Sequence, residues 1–250
     1  LIFTPLASAQ GCLTPEEMEL GVAVLDMGRS STGLAVYRDH RILGTQCFDW
    51  GGFYLTRDVA ARFHITFEEA DELIMMYGIS SALLESEARE EGFQLEPKAP
   101  AEHDDHTVPV KLKTNVSGSP SIVSRKEVES IIFDRAGELL TKVRQYLQAR
   151  GLMKHLVCGV VLTGGASEIK SHVDLVKATL KVSSRKGVPH RVENGPPAVF
   201  LPTYSAAIGA VHHAFAYRAA ARSGRIDADG PGAPATRRVL KFVSKYLLPR

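Results

Sequence analysis

The sequence predicts an α/β domain, because apolar runs of strand length alternate with helical patterns and two of the runs end in turns suited to a ligand. The first turn, residues 28–32, joins the runs 22–25 and 34–37. The second, residues 164–167, follows the run 156–162 and precedes a helical pattern. Short apolar runs bounded by small turn residues are typical of buried strands, and helices are expected to cover the sheet that they form.

Composition narrows the protein class. The chain has 250 residues, of which 44% are hydrophobic, so it can bury a sizeable core as one large domain or two small ones. Its formal net charge of +2 does not indicate a nucleic-acid-binding protein. Three cysteines without CxxC spacing argue against a metal knot or a disulfide framework and favour a reducing cytoplasm. No run approaches the roughly 20 apolar residues of a membrane-spanning helix.

The first part of the chain predicts a helical segment followed by an antiparallel meander. The chain starts at Leu1 without a methionine or a signal-peptide pattern, so we expect upstream sequence to be missing. Residues 1–20 predict a short helix or turn and then a polar hinge. After the first two strands, a tight turn at Asp39 and His40 leads into a third strand, Arg41–Phe48.

Helices dominate the rest of the chain. A Gly-Gly pair breaks the chain before helices at 56–63 and 66–77, and the second of these opens with the capping box Thr66 and Glu69.

The segment that follows has no regular helical or strand pattern. Residues 85–121 are charged and rich in proline, with an edge strand expected at 108–112. A helix over 124–151 opens with a second capping box, and a last helix is expected over 204–221.

The loop after the first strand has the residue types of an anion site. An acid ends the buried strand, and the successive amides of the loop can form an anion-binding nest, beside which a carboxylate suits a magnesium ion or a water. The candidate ligand residues are Asp26, Gly28, Arg29, Ser30, Ser31 and Thr32. The alternative is an ordinary hairpin loop whose Ser and Thr side chains satisfy their own backbone.

The second turn offers a complementary surface. A buried strand ends in Gly-Gly-Ala-Ser at the start of a helix, where the backbone can pass close to a bulky ligand and helix amides favour phosphate or ribose groups. The candidate residues are Gly164, Gly165, Ala166 and Ser167. Such turns also occur without a ligand. In combination and in this order, the two turns are characteristic of the actin-like ATPase fold, in which paired subdomains hold a nucleotide.

Five segments carry a family resemblance: LASAQGCLTPEEMELGVAVLDMG, GGFYLTRDVAARFHITFEEADEL, SRKEVESIIFDR, GVVLTGGAS and YSAAIGAV. In order and spacing they resemble the second half of the FtsA family of bacterial cell-division proteins. The resemblance implies the second half of an actin-like (ribonuclease H-like) ATPase fold. The family binds the tail of the tubulin-like FtsZ and tethers it to the inner face of the membrane. The resemblance therefore also implies that the partners of this protein are FtsZ and an anionic membrane, that it self-associates, and that it acts at the division septum.

The resemblance implies a division of the chain into functional parts. We expect an inter-domain helix and hinge (1–20), a nucleotide-facing 2A-like subdomain (21–50 with 152–222), an outer 2B-like subdomain that receives the FtsZ tail (51–151), a linker (223–235) and a membrane-targeting amphipathic helix (236–250).

Two departures from the family pattern predict a degraded site for ATP and magnesium. The family loop runs Asp-Ile-Gly-Gly-Gly-Thr-Thr, so Arg29 and Ser30 replace two glycines. A side chain at a positive φ costs about 1–2 kcal/mol, and each lost amide contact to phosphate costs roughly 1.5–3 kcal/mol. The family helix Ala-Glu-x-Leu-Lys turns its Glu and Lys to the adenosine, where this chain has Asp71 and Ile74. Arg29 is either a solvated side chain or an inward-folded one that supplies the charge that Ile74 lacks.

Residues 236–250 have the pattern of an interfacial amphipathic helix, with apolar residues on one side and basic residues on the other. Each basic residue near an anionic leaflet contributes about 1 kcal/mol. The predicted membrane-contact residues are Arg237, Arg238, Val239, Leu240, Lys241, Phe242, Val243, Lys245, Tyr246 and Leu247. The alternative is a terminal helix packed on its own domain, against which the preceding Gly/Pro/Ala-rich linker argues.

Two arginines on the segment SRKEVESIIFDR, Arg125 and Arg135, are candidates to bind an acidic peptide tail. The alternative is two exposed cations on an amphipathic helix. Family chains often have Glu-Pro-Arg where this chain has Phe-Asp-Arg, so the setting of Arg135 differs. The run His-Asp-Asp-His at 103–106 has metal-ligand residue types, but its polar context favours solvated side chains, and we predict neither a metal site nor a catalytic residue.

The favoured function is a cell-division scaffold of FtsA type with a degraded nucleotide site and at most weak ATPase activity. One alternative is an active ATPase or sugar-kinase-like enzyme of the same fold, which would need a first phosphate loop and a catalytic acid or glutamine that these residues do not show. The other is an actin-like assembly protein of PilM or MreB type, for which a basic amphipathic C-terminal helix after a linker is unexpected.

Overall fold

The computed structural model of the protein describes residues 2–80, 82–85, 107–110, 121–190 and 195–222. Its helices include α1 (Thr4–Cys12), α2 (Pro15–Leu20), α3 (Gly52–Phe63), α4 (Phe67–Tyr77), α5 (Arg125–Ala149), α6 (His172–Leu180) and α7 (Ser205–Arg222). Its strands are β1 (Val22–Met27), β2 (Thr32–Arg38), β3 (Arg41–Phe48), β4 (Thr107–Val110), β5 (Ser121–Ser124), β6 (Val160–Thr163) and β7 (Ser184–Lys186).

A mixed sheet in the order β3-β2-β1-β6-β7 forms the centre of the fold. β1 runs antiparallel to β2 and parallel to β6, while β2 pairs with β3 antiparallel and β6 with β7 parallel. The predicted meander is confirmed, and β3 has the predicted bounds. The expected edge strand at 108–112 lies at Thr107–Val110 and pairs with β5 in a separate two-stranded sheet. Because β1 and β6 are parallel neighbours, the turns that follow them lie at the same edge of the sheet.

Helices cover both faces of the central sheet. Every second residue of β1, beginning with Ala23, belongs to a large core cluster that includes residues of α3, α4, α5 and α6. The intervening residues, Val22 and Val24, belong to a second cluster with Ala9 and Cys12 of α1. All residues of β1 are buried, as expected for a central strand that is covered on both faces.

The helices α1 and α7 touch through their backbones. A Cβ built on Gly209 of α7 would lie 1.7 Å from the Ala7 carbonyl oxygen, and one built on Gly11 of α1 would lie 2.2 Å from the Ser205 carbonyl oxygen. Only glycine leaves room for so close an approach. The contact therefore fixes α7 on α1, which packs in turn on the sheet.

The segment predicted as a polar hinge within residues 1–20 contains a helix, α2 (Pro15–Leu20), and the hinge itself stays a prediction. The Thr14 hydroxyl accepts a hydrogen bond from the Glu17 N–H at 3.2 Å, and the Glu17 carboxylate accepts one from the Thr14 N–H at 2.9 Å. This reciprocal capping box, with a proline in the first turn, is a helix-start signal. The sequence contains this helix-start signal at Thr14, Pro15 and Glu17.

Most other helices agree with the sequence. The predicted capping box of Thr66 and Glu69 is confirmed at α4, which ends at Tyr77, and the Ser124 hydroxyl caps α5. α3 begins at Gly52 rather than at residue 56, because the loop after β1 supplies acceptors for its first N–H groups. β6 is shorter than the predicted strand 156–162, since a 3-10 turn and a glycine with φ of +75° precede it.

The predicted subdomain boundaries at residues 51 and 151 stay predictions. Described residues from both sides of these boundaries share the large core cluster, which combines residues of β1 and β2 with residues of α3 and α5. Within the described part of the chain, no helix has the length and apolar composition needed to cross a bilayer.

Candidate functional site

The loop after β1 is a compact turn that anchors α3. The Gly28 N–H donates to the Ser31 carbonyl oxygen at 3.0 Å, which closes the loop on itself and leaves this N–H unavailable to a ligand. The carbonyl oxygens of Gly28 and Arg29 accept hydrogen bonds from the N–H groups of Gly52 and Phe53 at 2.9 and 2.8 Å. Loop and helix start therefore form one hydrogen-bonded unit.

Two further residues of this unit have buried contacts. The Thr32 hydroxyl, which is fully buried, donates to the Trp50 carbonyl oxygen at 2.7 Å and so points away from the loop surface. A Cβ built on Gly51 would lie 2.6 Å from the carbonyl oxygens of Gly28 and Arg29. The close approach that demands glycine is therefore at the start of α3.

Arg29 folds over the loop toward α4. Its Nη1 lies 3.2 Å from Oδ2 of Asp71, and its guanidinium carbon lies 5.3 Å from the centre of the Phe53 ring. The Thr56 hydroxyl of α3 donates to Oδ1 of Asp71. The side chains of Arg29 and Asp71 are 60% and 42% exposed. This surface pair links the loop, α3 and α4.

The two loop substitutions cause no left-handed strain. Neither Arg29 nor Ser30 has a positive φ, so the expected penalty of 1–2 kcal/mol for a side chain there does not arise. Arg29, Ser30 and Ser31 are all exposed. Ile74, at the position of the family lysine, is 4% exposed and belongs to the core, so it offers no surface to a ligand.

Asp26 joins the two turns. Its carboxylate is buried and accepts a hydrogen bond from the Ser8 hydroxyl of α1. Burial raises its pKa, while the Ser8 hydrogen bond acts in the opposite direction. A Cβ built on Gly164 would lie 2.5 Å from Oδ1 of Asp26 and 2.5 Å from the Met27 carbonyl oxygen. The Gly-Gly turn therefore packs directly against the end of β1.

The second turn is a 3-10 turn, and the expected helix does not start there. Gly164 has φ of +83°, residues Gly165–Glu168 form the turn, and α6 begins only at His172. The Ser167 hydroxyl is buried and donates to the Gly164 carbonyl oxygen at 2.7 Å. The predicted helix start at this turn is therefore wrong, and of residues 164–167 only Gly165 is exposed.

His172 supports this turn from below and was missed by sequence reasoning. Its Nδ1 lies 2.8 Å from the Ala166 carbonyl oxygen, and its Nε2 is buried without a hydrogen-bond partner among the described residues. Burial lowers the pKa of His172 to about 4, so the ring is neutral at pH 7. A single histidine in an apolar helical pattern does not predict that its ring is buried against the turn.

The two predicted partner-binding arginines lie on α5 and have partners within the chain. Arg125 Nε donates to Glu129 at 2.7 Å. Arg135 contacts the Asp58 carboxylate of α3 and donates to Glu138 at 2.9 Å. Each arginine side chain is 38% exposed, so part of its surface can still meet another molecule.

Three predictions lie outside the described residues. These are the linker at 223–235, the membrane-contact residues within 236–250 and the His-Asp-Asp-His run at 103–106. Within the described residues, no group of three side chains is arranged to hold a metal ion.

The residue types at the two turns fit a nucleotide phosphate with magnesium, since turn amides and carboxylates are present. Both carboxylates already have partners, Ser8 for Asp26 and Arg29 with Thr56 for Asp71. A ligand that contacts Asp71 therefore shares the carboxylate with Arg29 and Thr56 or competes with them.

Sequence comparison matches the chain to one family. The family model for "Cell division protein FtsA" matches residues 23–209. FtsA of Agrobacterium fabrum is 31% identical over 209 residues, which cover 84% of this chain and 44% of that protein. FtsA of Pseudomonas aeruginosa is 26% identical over 248 residues, which cover 97% and 55%. The chain thus spans about half the length of the curated relatives that it matches.

Solved structures with a similar fold are actin-like. MreB 5 of Spiroplasma citri bound to AMPPNP has a TM-score of 0.63 at 14% identity, covering 88% of this chain and 60% of that chain. A chain of the PilM–PilN type IV pilus biogenesis complex has a TM-score of 0.53 at 18% identity, covering 85% and 52%. These similarities confirm the predicted actin-like fold. Since the family model matches most of the chain, the protein belongs to the FtsA family of cell-division proteins.

Proposed function

We propose that this protein is an FtsA-type scaffold that tethers FtsZ filaments to the inner face of the cytoplasmic membrane at the division septum and self-associates. The family match over residues 23–209 carries this proposal. Tethering requires two separate contacts, one with FtsZ and one with lipid, and the sequence assigns them to different parts of the chain.

The FtsZ contact is assigned to α5. An acidic tail can approach Arg135 from its exposed side and compete with Glu138, which is itself 51% exposed. Asp58 holds the arginine in place from the buried side, since its own side chain is 17% exposed. The guanidinium is thus preorganised, which lowers the entropic cost of binding.

Titration of a labelled FtsZ C-terminal tail peptide into the protein tests this contact. Arg135→Gln should weaken binding about three- to tenfold, the scale of one partly exposed charge contact. Arg62→Gln is the matched control, because Arg62 on α3 also pairs with an acid, Glu127, at 2.8 Å. Equal losses in both variants would indicate general charge attraction, and no binding to the unaltered protein would remove the FtsZ contact.

The membrane contact is assigned to residues 236–250, on the basis of their basic and apolar pattern. Deletion of these residues should abolish flotation of the protein with anionic liposomes. Lys241→Gln with Lys245→Gln should reduce flotation with anionic liposomes and change it little with neutral ones, because each cation contributes about 1 kcal/mol only near anionic lipid. Unchanged flotation after the deletion would exclude this segment as the anchor.

The nucleotide contact is assigned to the two turns, with weak binding of ATP and magnesium. Binding is supported by the residue types of the two turns, which fit a nucleotide phosphate with magnesium. Weak binding is supported by the contacts that Asp71 already makes with Arg29 and Thr56. Arg29→Gly combined with Ser30→Gly should restore the family loop and tighten ATP binding in titration calorimetry. If the double variant shows no gain, the loop is not the cause of weak binding.

A further inference from the structure

We propose that Arg29 is an internal occupant of the candidate nucleotide site: it holds Asp71 in an ion pair, and a nucleotide that binds through Oδ2 of Asp71 must compete with it. The inference rests on the nucleotide contact proposed above and assigns the loss of affinity to one interaction. Arg29 acts through Asp71 and is therefore a positioning residue.

Two contacts hold the guanidinium of Arg29 over the loop. Nη1 of Arg29 lies 3.2 Å from Asp71, and the guanidinium lies 5.3 Å from the centre of the Phe53 ring. The Phe53 ring is supported edge-on by Phe67 of α4, with ring centres 5.2 Å apart. The arginine side chain is thus held by one charged partner and one aromatic face, both within reach of the same guanidinium.

The backbone of Arg29 is held in the loop by a hydrogen bond to α3. Its carbonyl oxygen accepts the Phe53 N–H at 2.8 Å, which ties the residue to the start of α3. Displacement by a ligand therefore means rotation of the side chain alone. Since Arg29 and Asp71 are 60% and 42% exposed, solvent is available to the guanidinium when it leaves.

Asp71 has both oxygens engaged while Arg29 is in place. Oδ2 faces Arg29 and Oδ1 accepts from the Thr56 hydroxyl. A ligand with hydroxyl groups, such as a nucleoside, needs carboxylate acceptors of this kind. The arginine therefore competes for the carboxylate itself, and its effect does not depend on the phosphates.

The chain contains a matched control pair. Arg62 pairs with Glu127 at 2.8 Å, its guanidinium lies 5.8 Å from the centre of the Phe63 ring, and the two side chains are 58% and 46% exposed. Chemistry, exposure and aromatic support resemble those of the Arg29 pair. Arg62 contacts neither turn of the candidate site in the described residues, so its removal reports the general effect of losing such a pair.

Titration calorimetry with ATP and with AMP, each with magnesium, tests the proposal on the protein and its variants. Arg29→Ala should tighten both ligands by a similar factor of about five, the scale of an exposed ion pair with aromatic support. Arg29→Lys, which keeps the charge, should stay close to the unaltered protein. Arg62→Ala should change neither affinity.

A second background shows whether the effect passes through Asp71. In a protein that carries Asp71→Ala, the further change Arg29→Ala should give little or no tightening. An equal gain in nucleotide affinity in both backgrounds would show that Arg29 acts only by steric crowding of the loop. Weaker binding of ATP, but not of AMP, after Arg29→Ala would show that Arg29 contacts phosphate. Either result overturns the inference while nucleotide binding stands. Absence of ATP and AMP binding in every variant overturns the inference and the proposed nucleotide contact together.

Discussion

The two turns of the candidate site differ in how firmly the structure determines them. Three of the four residues 164–167 in the turn after β6 are buried: Gly164 lies against Asp26, Ser167 donates to the Gly164 carbonyl oxygen, and His172 contacts the Ala166 carbonyl oxygen. The loop after β1 exposes Arg29, Ser30 and Ser31 to solvent. Both departures from the family glycines lie in the exposed loop, whereas the packed turn keeps Gly-Gly-Ala.

This difference separates two kinds of glycine requirement. At Gly164 the backbone itself, with φ of +83° and a Cβ position 2.5 Å from two oxygens, excludes any side chain. At positions 29 and 30 the φ values suit any residue, so the fold does not require glycine there. Residues at positions 29 and 30 can therefore be substituted without unfolding the domain.

The largest effect is expected at Gly164. Gly164→Ala should reduce the free energy of unfolding by about 3–5 kcal/mol, since it combines a glycine-only conformation with a steric clash. Gly165→Ala is the matched control, because its Cβ would meet only the Thr203 hydroxyl at 3.7 Å. Urea denaturation of both variants measures the difference, and similar midpoints would contradict the contrast between the two turns.

A pH effect of somewhat smaller size is expected at His172. Its pKa is about 4 in the folded protein and near 6.5 unfolded, so between these values the unfolded chain binds a proton that the folded one does not. Stability should therefore fall by on the order of 3 kcal/mol as the pH falls from 7 to 4. His172→Asn should flatten the dependence of unfolding free energy on pH in this window. An unchanged slope would show that His172 accepts the proton while folded.

Asp26 should show the opposite sign with a smaller size. Its pKa is raised by burial, so the protonated form favours folding and stability is lost as the pH rises through the folded pKa. Asp26→Asn should therefore stabilise the fold at pH 7, since it removes the buried charge. It should change little well below the unfolded pKa, where Asp26 is protonated in both states. Thermal unfolding at the two pH values tests this, and equal gains at both would exclude the charge as the cause.

The smallest effect is expected in the exposed loop. Ser30→Gly should change the free energy of unfolding by less than about 0.5 kcal/mol, because the side chain is exposed and its backbone is unstrained. Chemical denaturation of this variant beside Gly164→Ala compares the two turns within one experiment. A large loss on Ser30→Gly would mean that the loop is as firmly determined as the packed turn.

Local patterns predicted much of the fold. The strands of the meander and the capping box at Thr66 depend on residues close in sequence, and they were confirmed. The start of α3 depends on carbonyl oxygens of the loop after β1, so no local pattern could locate it. The start of α2 (Pro15–Leu20) also depends on a local capping box, so this helix could be predicted from the sequence.

The candidate site shows the same limit. Both turns could be found from small residues after apolar runs, and they lie together because β1 and β6 are parallel neighbours. The pair of Arg29 and Asp71 joins residues 42 positions apart, and the burial of His172 depends on how the 3-10 turn closes above it. Such contacts depend on tertiary packing, which residue types alone do not specify.

The glycine contact between α1 and α7 has a mechanical consequence. α7 directly precedes residues 223–250, so a pulling force applied to that segment passes along α7. At Gly209 and Gly11 the two helix backbones meet without intervening side chains, and α1 rests on the central sheet. Tension applied at Arg222 would therefore reach the central sheet through the backbone contact between α7 and α1.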